Sequence, residues 1–231
     1  MIRPASWYRV PSGPLRDVLP LLRWAPEGEL AAATTAAALM LYVALVFQAR
    51  EETQEDGSTV VVAHATYDEL EVATGRPRSL VANGLKRLQL TGLVTPQGSA
   101  QRRSYVVEGP HDRWFKLPCR AIVKDGVIVP FTTFNLRSKH ELHALKLYLY
   151  LAAVRSNADS FTMASYETIH HRTGIPERDI RRALALLISS GLLFNVDREF
   201  SRTLRVNEAN KYYLKGYLDL APRQAAPAAA A

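Results

Sequence analysis

The chain has 231 residues, 48% hydrophobic and 22% charged, with a formal net charge of +7. Its length suits two domains of about 100 residues each or one large one, and its apolar content excludes wholesale disorder. The positive balance favours a polyanionic partner, because clustered Lys and Arg neutralise phosphates and release counterions, while the single cysteine, Cys119, excludes an intramolecular disulfide and fits the cytosol.

In chain order, the first apolar run is broken by Pro4, Arg9, Pro11 and Arg16 and lacks a signal-peptide pattern. Trp7 to Pro11 reads as a strand. A strongly apolar helix is predicted from about Thr34 to Arg50. Its greasiest part, Ala36 to Phe47, falls well short of the ~20 residues that span a bilayer, so a buried helix accounts for it. An acidic loop, Glu51 to Ser58, and a short strand follow. Thr66 and Glu69 then form a capping box: Thr accepts from a backbone N–H three residues on, and Glu reaches back. The helix they open closes at Gly75, where glycine accepts the left-handed conformation. Pro77 suits the first turn of the next helix. That helix carries Val81, Leu85 and Leu88 on one face. It stops at Gly92, and Leu93-Val94 begins a strand. A polar loop with Arg102 and Arg103 leads to a returning strand, Ser104 to Val107, and Gly109-Pro110 is a natural breaker.

The second half repeats this order. Trp114-Phe115-Lys116-Leu117-Pro118 matches Trp7-Tyr8-Arg9-Val10-Pro11, and the apolar helix from Lys139 to Arg155 matches the one from Thr34. Ser165 to Leu193 aligns without a gap on Thr66 to Val94. Tyr67 falls on Tyr166, Gly75 on Gly174, Pro77 on Pro176, Leu85 on Leu184, Leu88 on Leu187 and Gly92 on Gly191. Thr203-Leu204-Arg205-Val206 is matched to Ser104–Val107, which places Arg202 opposite Arg103. Anchors in one order across a whole module make chance improbable.

Two helices joined at a glycine turn and followed by a hairpin make a helix-turn-helix with a wing. The pattern of Leu70, Thr74, Gly75, Pro77, Val81, Leu85, Leu88, Gly92, Leu93 and Val94 resembles the winged helix-turn-helix superfamily. So does Ile169, Thr173, Gly174, Pro176, Ile180, Leu184, Leu187, Gly191, Leu192 and Leu193. The tandem arrangement resembles plasmid and phage replication initiators. The expected fold is α+β, mainly helical: two tandem winged-helix domains related by internal duplication. They cover residues 1–109 and 110–220, with a disordered Ala/Pro tail at 221–231.

In such a motif the second helix enters the major groove. Candidate DNA contacts in the first copy are Arg76, Arg78, Ser79, Asn83, Lys86 and Arg87. Those in the second are Arg178, Arg181 and Arg182, on a face diluted by Glu177 and Asp179. The wings add Arg102, Arg103, Arg198, Arg202 and Arg205, suited to phosphates or a minor groove. Residues 1–107 carry 11 basic and 10 acidic residues, and residues 108–231 carry 18 and 12. The first copy thus has the cleaner reading helix and the second half the greater charge.

Signals of catalysis are weak. His140-Glu141-Leu142-His143 spaces its histidines three apart, whereas a zinc-protease helix needs four, so these read as surface helix residues. His170-His171 makes a poor chelate, and Cys119 lacks a partner at metal spacing. No phosphate-binding GxxxxGK[ST] loop occurs. Tyr212-Tyr213 reads as packing of a C-terminal helix. The chain is expected not to be an enzyme and to need no cofactor or metal. The expected function is sequence-specific binding of double-stranded DNA, with replication initiation of a mobile element first. Transcriptional regulation, or a structural adaptor gripping protein, is the alternative. Beyond DNA, the expected partner is a second copy of the chain or a replication or nucleoprotein complex. No membrane is expected, and the location is cytoplasmic, on the nucleoid.

Overall fold

A computed structural model describes residues 2, 5–24, 32–98, 103–110, 113–156, 158–197, 200–201, 206–207 and 209–220. The first half runs β1 (Trp7–Pro11), α1 (Gly13–Val18), a 3-10 turn (Leu19–Leu21), α2 (Ala32–Val46), β2 (Ala49–Thr53), β3 (Thr59–His64), α3 (Tyr67–Thr74), α4 (Arg78–Leu90), β4 (Val94–Gln97) and β5 (Ser104–Val107). The second half begins with β6 (Trp114–Pro118), β7 (Val123–Lys124), β8 (Val127–Ile128) and a 3-10 turn (Val129–Thr133). It continues through α5 (Lys139–Val154), β9 (Thr162–Ala164), α6 (Tyr166–Thr173), α7 (Glu177–Ser190), β10 (Leu193–Asp197), β11 (Phe200–Ser201), β12 (Val206–Asn207), β13 (Asn210–Leu214) and a last 3-10 turn (Tyr217–Asp219). The architecture is α+β, with several small antiparallel sheets.

Each half is organised on one buried helix. Residues 36–47 of α2 and its exit, and residues 141–153 of α5, are buried on every side. A helix apolar all round belongs in a core, and here α2 packs on α4, α5 on α7, and α2 on α5. Gly84 lets α4 approach α2 closely: a Cβ there would lie 2.4 Å from Leu41 Cδ1 and 3.3 Å from the Ala38 backbone nitrogen.

The sheets correct three expectations. The acidic stretch after α2 is half strand, because β2 pairs with β3 and makes the first sheet four-stranded, in the order β2-β3-β5-β4. In the second sheet, β10-β13-β9, the strand that takes the central place of β5 is β13. Val94 pairs with Val107 and Leu193 with Leu214, so Tyr212 is the true counterpart of Tyr105. Both rings are buried. The match of Ser104–Val107 to Thr203–Val206 is therefore wrong. The strand pair β11–β12 is an insertion that lengthens the second hairpin. Tyr212 and Tyr213 accordingly lie on a strand and not on a C-terminal helix.

The two halves meet through β1 and β6, which pair antiparallel with Trp7 opposite Pro118, Arg9 opposite Lys116 and Pro11 opposite Trp114. Residues made equivalent by the repeat exchange partners about the Arg9–Lys116 pair, which is a local two-fold relation. Trp7 stacks on Trp114 with ring centroids 6.0 Å apart and planes 11° from parallel. Arg9 lies 4.5 Å over the Trp114 ring, and Lys116 lies 4.8 Å over the Trp7 ring. Past these strands, each arm reaches the other half. The Leu19–Leu21 turn packs on α6, and β8 packs on α3.

Irregular arms and helix ends leave carbonyls that neither helix nor sheet satisfies. Cationic side chains from the opposite half take them. Lys146 Nζ on α5 donates to the Leu22 carbonyl at 2.9 Å, and the Arg16 guanidinium donates to the Ala153 carbonyl. Lys146 is 1% exposed. Burial, aided by the charge of Arg23, pushes its ammonium down to about 7 from an ordinary 10.5. Above pH 7 the unfolded chain therefore holds a proton that the folded chain has shed, so raising the pH stabilises the fold. Lys146→Met is expected to remove this slope. In denaturant unfolding between pH 7 and 9, the wild type should gain about 2 kcal/mol relative to the variant.

Candidate nucleic-acid interface

The two helix pairs are built by the same local devices. Thr66 accepts from the Glu69 backbone N–H at 3.2 Å, and the Glu69 carboxylate accepts from the Thr66 N–H at 3.0 Å, which completes the capping box. Ser165 caps α6 by accepting from the Thr168 N–H at 3.1 Å. Gly75 and Gly174 close the first helices at φ 66° and 67°. At Gly174 a side chain is doubly excluded, because a Cβ would lie 2.9 Å from the Pro20 carbonyl oxygen. Pro77 and Pro176 sit at the N-cap, one residue before the place the sequence suggests. Val81, Gly84, Leu85 and Leu88 of α4 turn inward, as do Ile180, Ala183, Leu184 and Leu187 of α7. That buried stripe decides which side chains face out.

On α4, Ser79, Asn83 and Lys86 are exposed. Arg78 is 62% exposed, lies 5.0 Å over the Tyr67 ring and pairs with Asp68 and Glu71 of α3. Ion pairs this exposed are worth little, so the guanidinium is readily released. Arg87 is half-buried in the last turn. Arg76 corrects the sequence reading. It points into the molecule, donating from Nη1 to the Phe134 carbonyl at 2.9 Å, from Nη2 to Phe131 at 3.4 Å and from Nε to Thr74 at 3.2 Å. Its repeat counterpart in the second half is the buried Ile175. The position is thus turned inward in both halves, filled once by a hydrophobe and once by a cation that finds carbonyls.

On α7, Arg178, Arg181 and Arg182 are all exposed. The expected dilution by acid is smaller than it looks. Asp179 is buried, and its Oδ2 accepts from Lys139 Nζ at 2.9 Å, so only Glu177 stays on the outer face. Burial pushes the Asp179 carboxyl up, but Lys139 outweighs this and holds it below the usual range. The outer face of α7 therefore sets three exposed arginines against a single exposed acid.

A groove runs between α4 and the hairpin that follows it, and another between α7 and its hairpin. The first, about 360 Å³, is lined by Tyr67, Lys86, Gln89, Pro96 and Arg103. The second, about 290 Å³, is lined by Tyr166, Arg181, Ile188 and Asn195. Tyr67 and Tyr166 hold equivalent places, a role that their match in the repeat could have flagged. Arg103 is exposed at the first groove, and its structural counterpart is Asn210, one residue before the Lys211 that matches Ser104. Arg102, Arg198, Arg202 and Arg205 lie outside the described residues, as does the 221–231 tail.

Two other sequence readings change. Glu141 and His143 are not surface residues: they are 6% and 9% exposed. The Glu141 carboxylate accepts backbone N–H groups from Leu136 at 2.9 Å, Arg137 at 2.8 Å and Ser138 at 2.9 Å, as well as from Asn135. This pins the loop in which Leu136 takes a left-handed φ of 56°. Burial pushes the His143 imidazole down to about 4, against the opposing pull of Asp179. Cys119 is buried and unpaired, its thiol pushed up to about 12 by burial, which makes it inert.

A family model described as a helix-turn-helix domain matches residues 142–193. That span runs from α5 through α6 and α7 to the first residue of β10. The second half therefore carries a helix-turn-helix domain, which supports DNA as its partner. No curated protein and no solved structure matches the chain. Among the described residues, no helix is long and apolar enough to cross a membrane.

Arg76→Ala is expected to act on stability. It removes the donor to the Phe134 carbonyl, while Phe131 keeps the Phe134 N–H, and should cost about 1–3 kcal/mol in denaturant unfolding. Ser79→Ala and Asn83→Ala, on the outer face of the same helix, should shift the unfolding midpoint by less than about 0.5 kcal/mol equivalent.

Proposed function

We propose that this protein binds double-stranded DNA sequence-specifically through two winged-helix modules, residues 1–109 and 110–220, and that it is a binding protein and not an enzyme. The observation that carries the reading is the division of α4 and α7 into two faces. The inner face of each is locked on a core helix. The outer faces carry Ser79, Asn83 and Lys86 in one half and Arg178, Arg181 and Arg182 in the other. Arginine matches guanine O6 and N7, and asparagine matches adenine N6 and N7. Each such helix follows a glycine turn and precedes a hairpin, the order in which a reading helix meets the major groove. Arg103, exposed beside the first groove, suits a phosphate contact.

A rigid pair of readers suits a composite site at an origin of a plasmid, phage or other mobile element. The strand pairing of β1 with β6 and the arm contacts hold the two helices in one relation, so both half-sites must present at a fixed spacing. Selection of bound sequences from a random duplex pool is expected to return a bipartite site. Inserting five base pairs between its halves should abolish tight binding, since that turns one half-site to the opposite side of the duplex. Arg181→Ala should cost about 1–3 kcal/mol and relax specificity at one position. Affinity should fall steeply with salt. Affinity unchanged from low to physiological salt would sink the proposal.

A further inference from the structure

The sequence spacing of His140 and His143 argues against a protease helix, yet the tertiary structure supplies what the local motif lacks. The two residues stand three apart on α5, on one face. Asp179, in the first turn of α7, faces them from the neighbouring helix. One ligand atom from each of the three lies within 4.8 Å of the others.

We propose that His140, His143 and Asp179 form a site for a divalent transition metal of the zinc class, tying the reading helix α7 to the core helix α5. His143 is 9% exposed, and its Nδ1 has no hydrogen-bond partner among the described residues. That atom lies 3.7 Å from Asp179 Oδ2. His140 Nδ1 is likewise buried without a hydrogen bond. A buried ring nitrogen left without a partner is costly, and a metal would satisfy both imidazoles at once. Two imidazole nitrogens and one carboxylate oxygen suit zinc, whereas calcium and magnesium take oxygen donors. Bonds of about 2.0–2.2 Å to such donors require the three atoms to close in by small side-chain rotations. The fourth position is left to water.

Two cations border the site. Lys139 Nζ lies 2.9 Å from Asp179 Oδ2, and Arg182 Nη1 lies 3.4 Å from His140 Nε2. Lys146, on the same helix, directs its ammonium away to the Leu22 carbonyl. The Lys139 side chain is 43% exposed and the Arg182 side chain is exposed, so both can swing into water as a metal enters. Lys139 is thus a built-in competitor for the carboxylate. The repeat supplies an internal comparison: the positions equivalent to His140, His143 and Asp179 in the first half are Thr34, Ala37 and Leu80. The ligand set belongs to the second half alone.

The test is titration of the chelator-treated full chain with Zn²⁺ alone, in competition with a chromogenic zinc indicator. Cobalt substitution reads the coordination geometry. One zinc per chain is expected, with a tetrahedral cobalt spectrum. His140→Ala and His143→Ala should each weaken binding roughly tenfold or more, since even outer-shell losses at metal sites reach that size. Lys139→Met should tighten it by removing the competing ammonium, a gain that a merely structural ion pair would not produce. Helical circular dichroism establishes that each variant is folded. His140, being half-exposed, supplies the variant that keeps its fold if His143→Ala does not. Absence of saturable binding at micromolar zinc, or binding unaltered in a folded His140→Ala variant, overturns the proposal.

Discussion

The antiparallel pairing of β1 with β6 is the constraint on which the rest of the molecule depends. It joins residues five to a side, each strand drawn from a different half, and is sealed by crossed contacts: Arg9 over Trp114, Lys116 over Trp7, and the two indoles stacked on each other. Each strand aims the chain that follows it at the opposite half. The Leu19–Leu21 turn therefore meets α6, and the Val127–Phe134 segment meets α3 and Arg76. The halves share one continuous apolar core through α2 and α5. A pair of modules joined only by a flexible linker would place α4 and α7 independently, and this arrangement does not.

Reciprocal arms and helix ends leave carbonyls with room for a further donor. The chain meets them with long cations whose stems pack while their heads bond. Arg76, Lys146 and Arg16 each donate to backbone oxygens of the other half. Glu141 does the complementary work, accepting four backbone N–H groups from the loop before α5. Charge in this protein thus has two separate uses. One population is drawn inward to satisfy backbone, and the other remains on the outer faces of α4 and α7. Net charge alone does not separate them, because burial and hydrogen bonding do.

The near-symmetry of the halves also shows where they have diverged. Arg76 and Ile175 fill one position by different chemistry. Leu80 and Asp179 differ more sharply: the acid turns inward onto Lys139 and frees the outer face of α7 from a negative charge. The second hairpin carries the inserted pair β11–β12, whereas the first sheet gains β2. Gly84 faces Leu41 and Ala38 of α2 at a distance that no Cβ would allow, whereas its repeat counterpart is Ala183.

Much of this was legible in the chain. The repeat, the capping box at Thr66 and Glu69, the left-handed glycines and the apolar spacing of Val81, Leu85 and Leu88 are local signals. Each follows from backbone geometry over a few residues, so the sequence by itself determined the helix pairs and their inner faces. What lay beyond reach depends on residues far apart in the chain. The inward turn of Arg76 needs the carbonyls of Phe131 and Phe134. The masking of Asp179 needs Lys139, and the true match of Tyr105 with Tyr212 needs strand register. An ionisable side chain near a turn looks the same in sequence whether it meets water or a carbonyl. Only the tertiary structure decides which, because the cost of burying charge is settled by the partner that the fold brings to it.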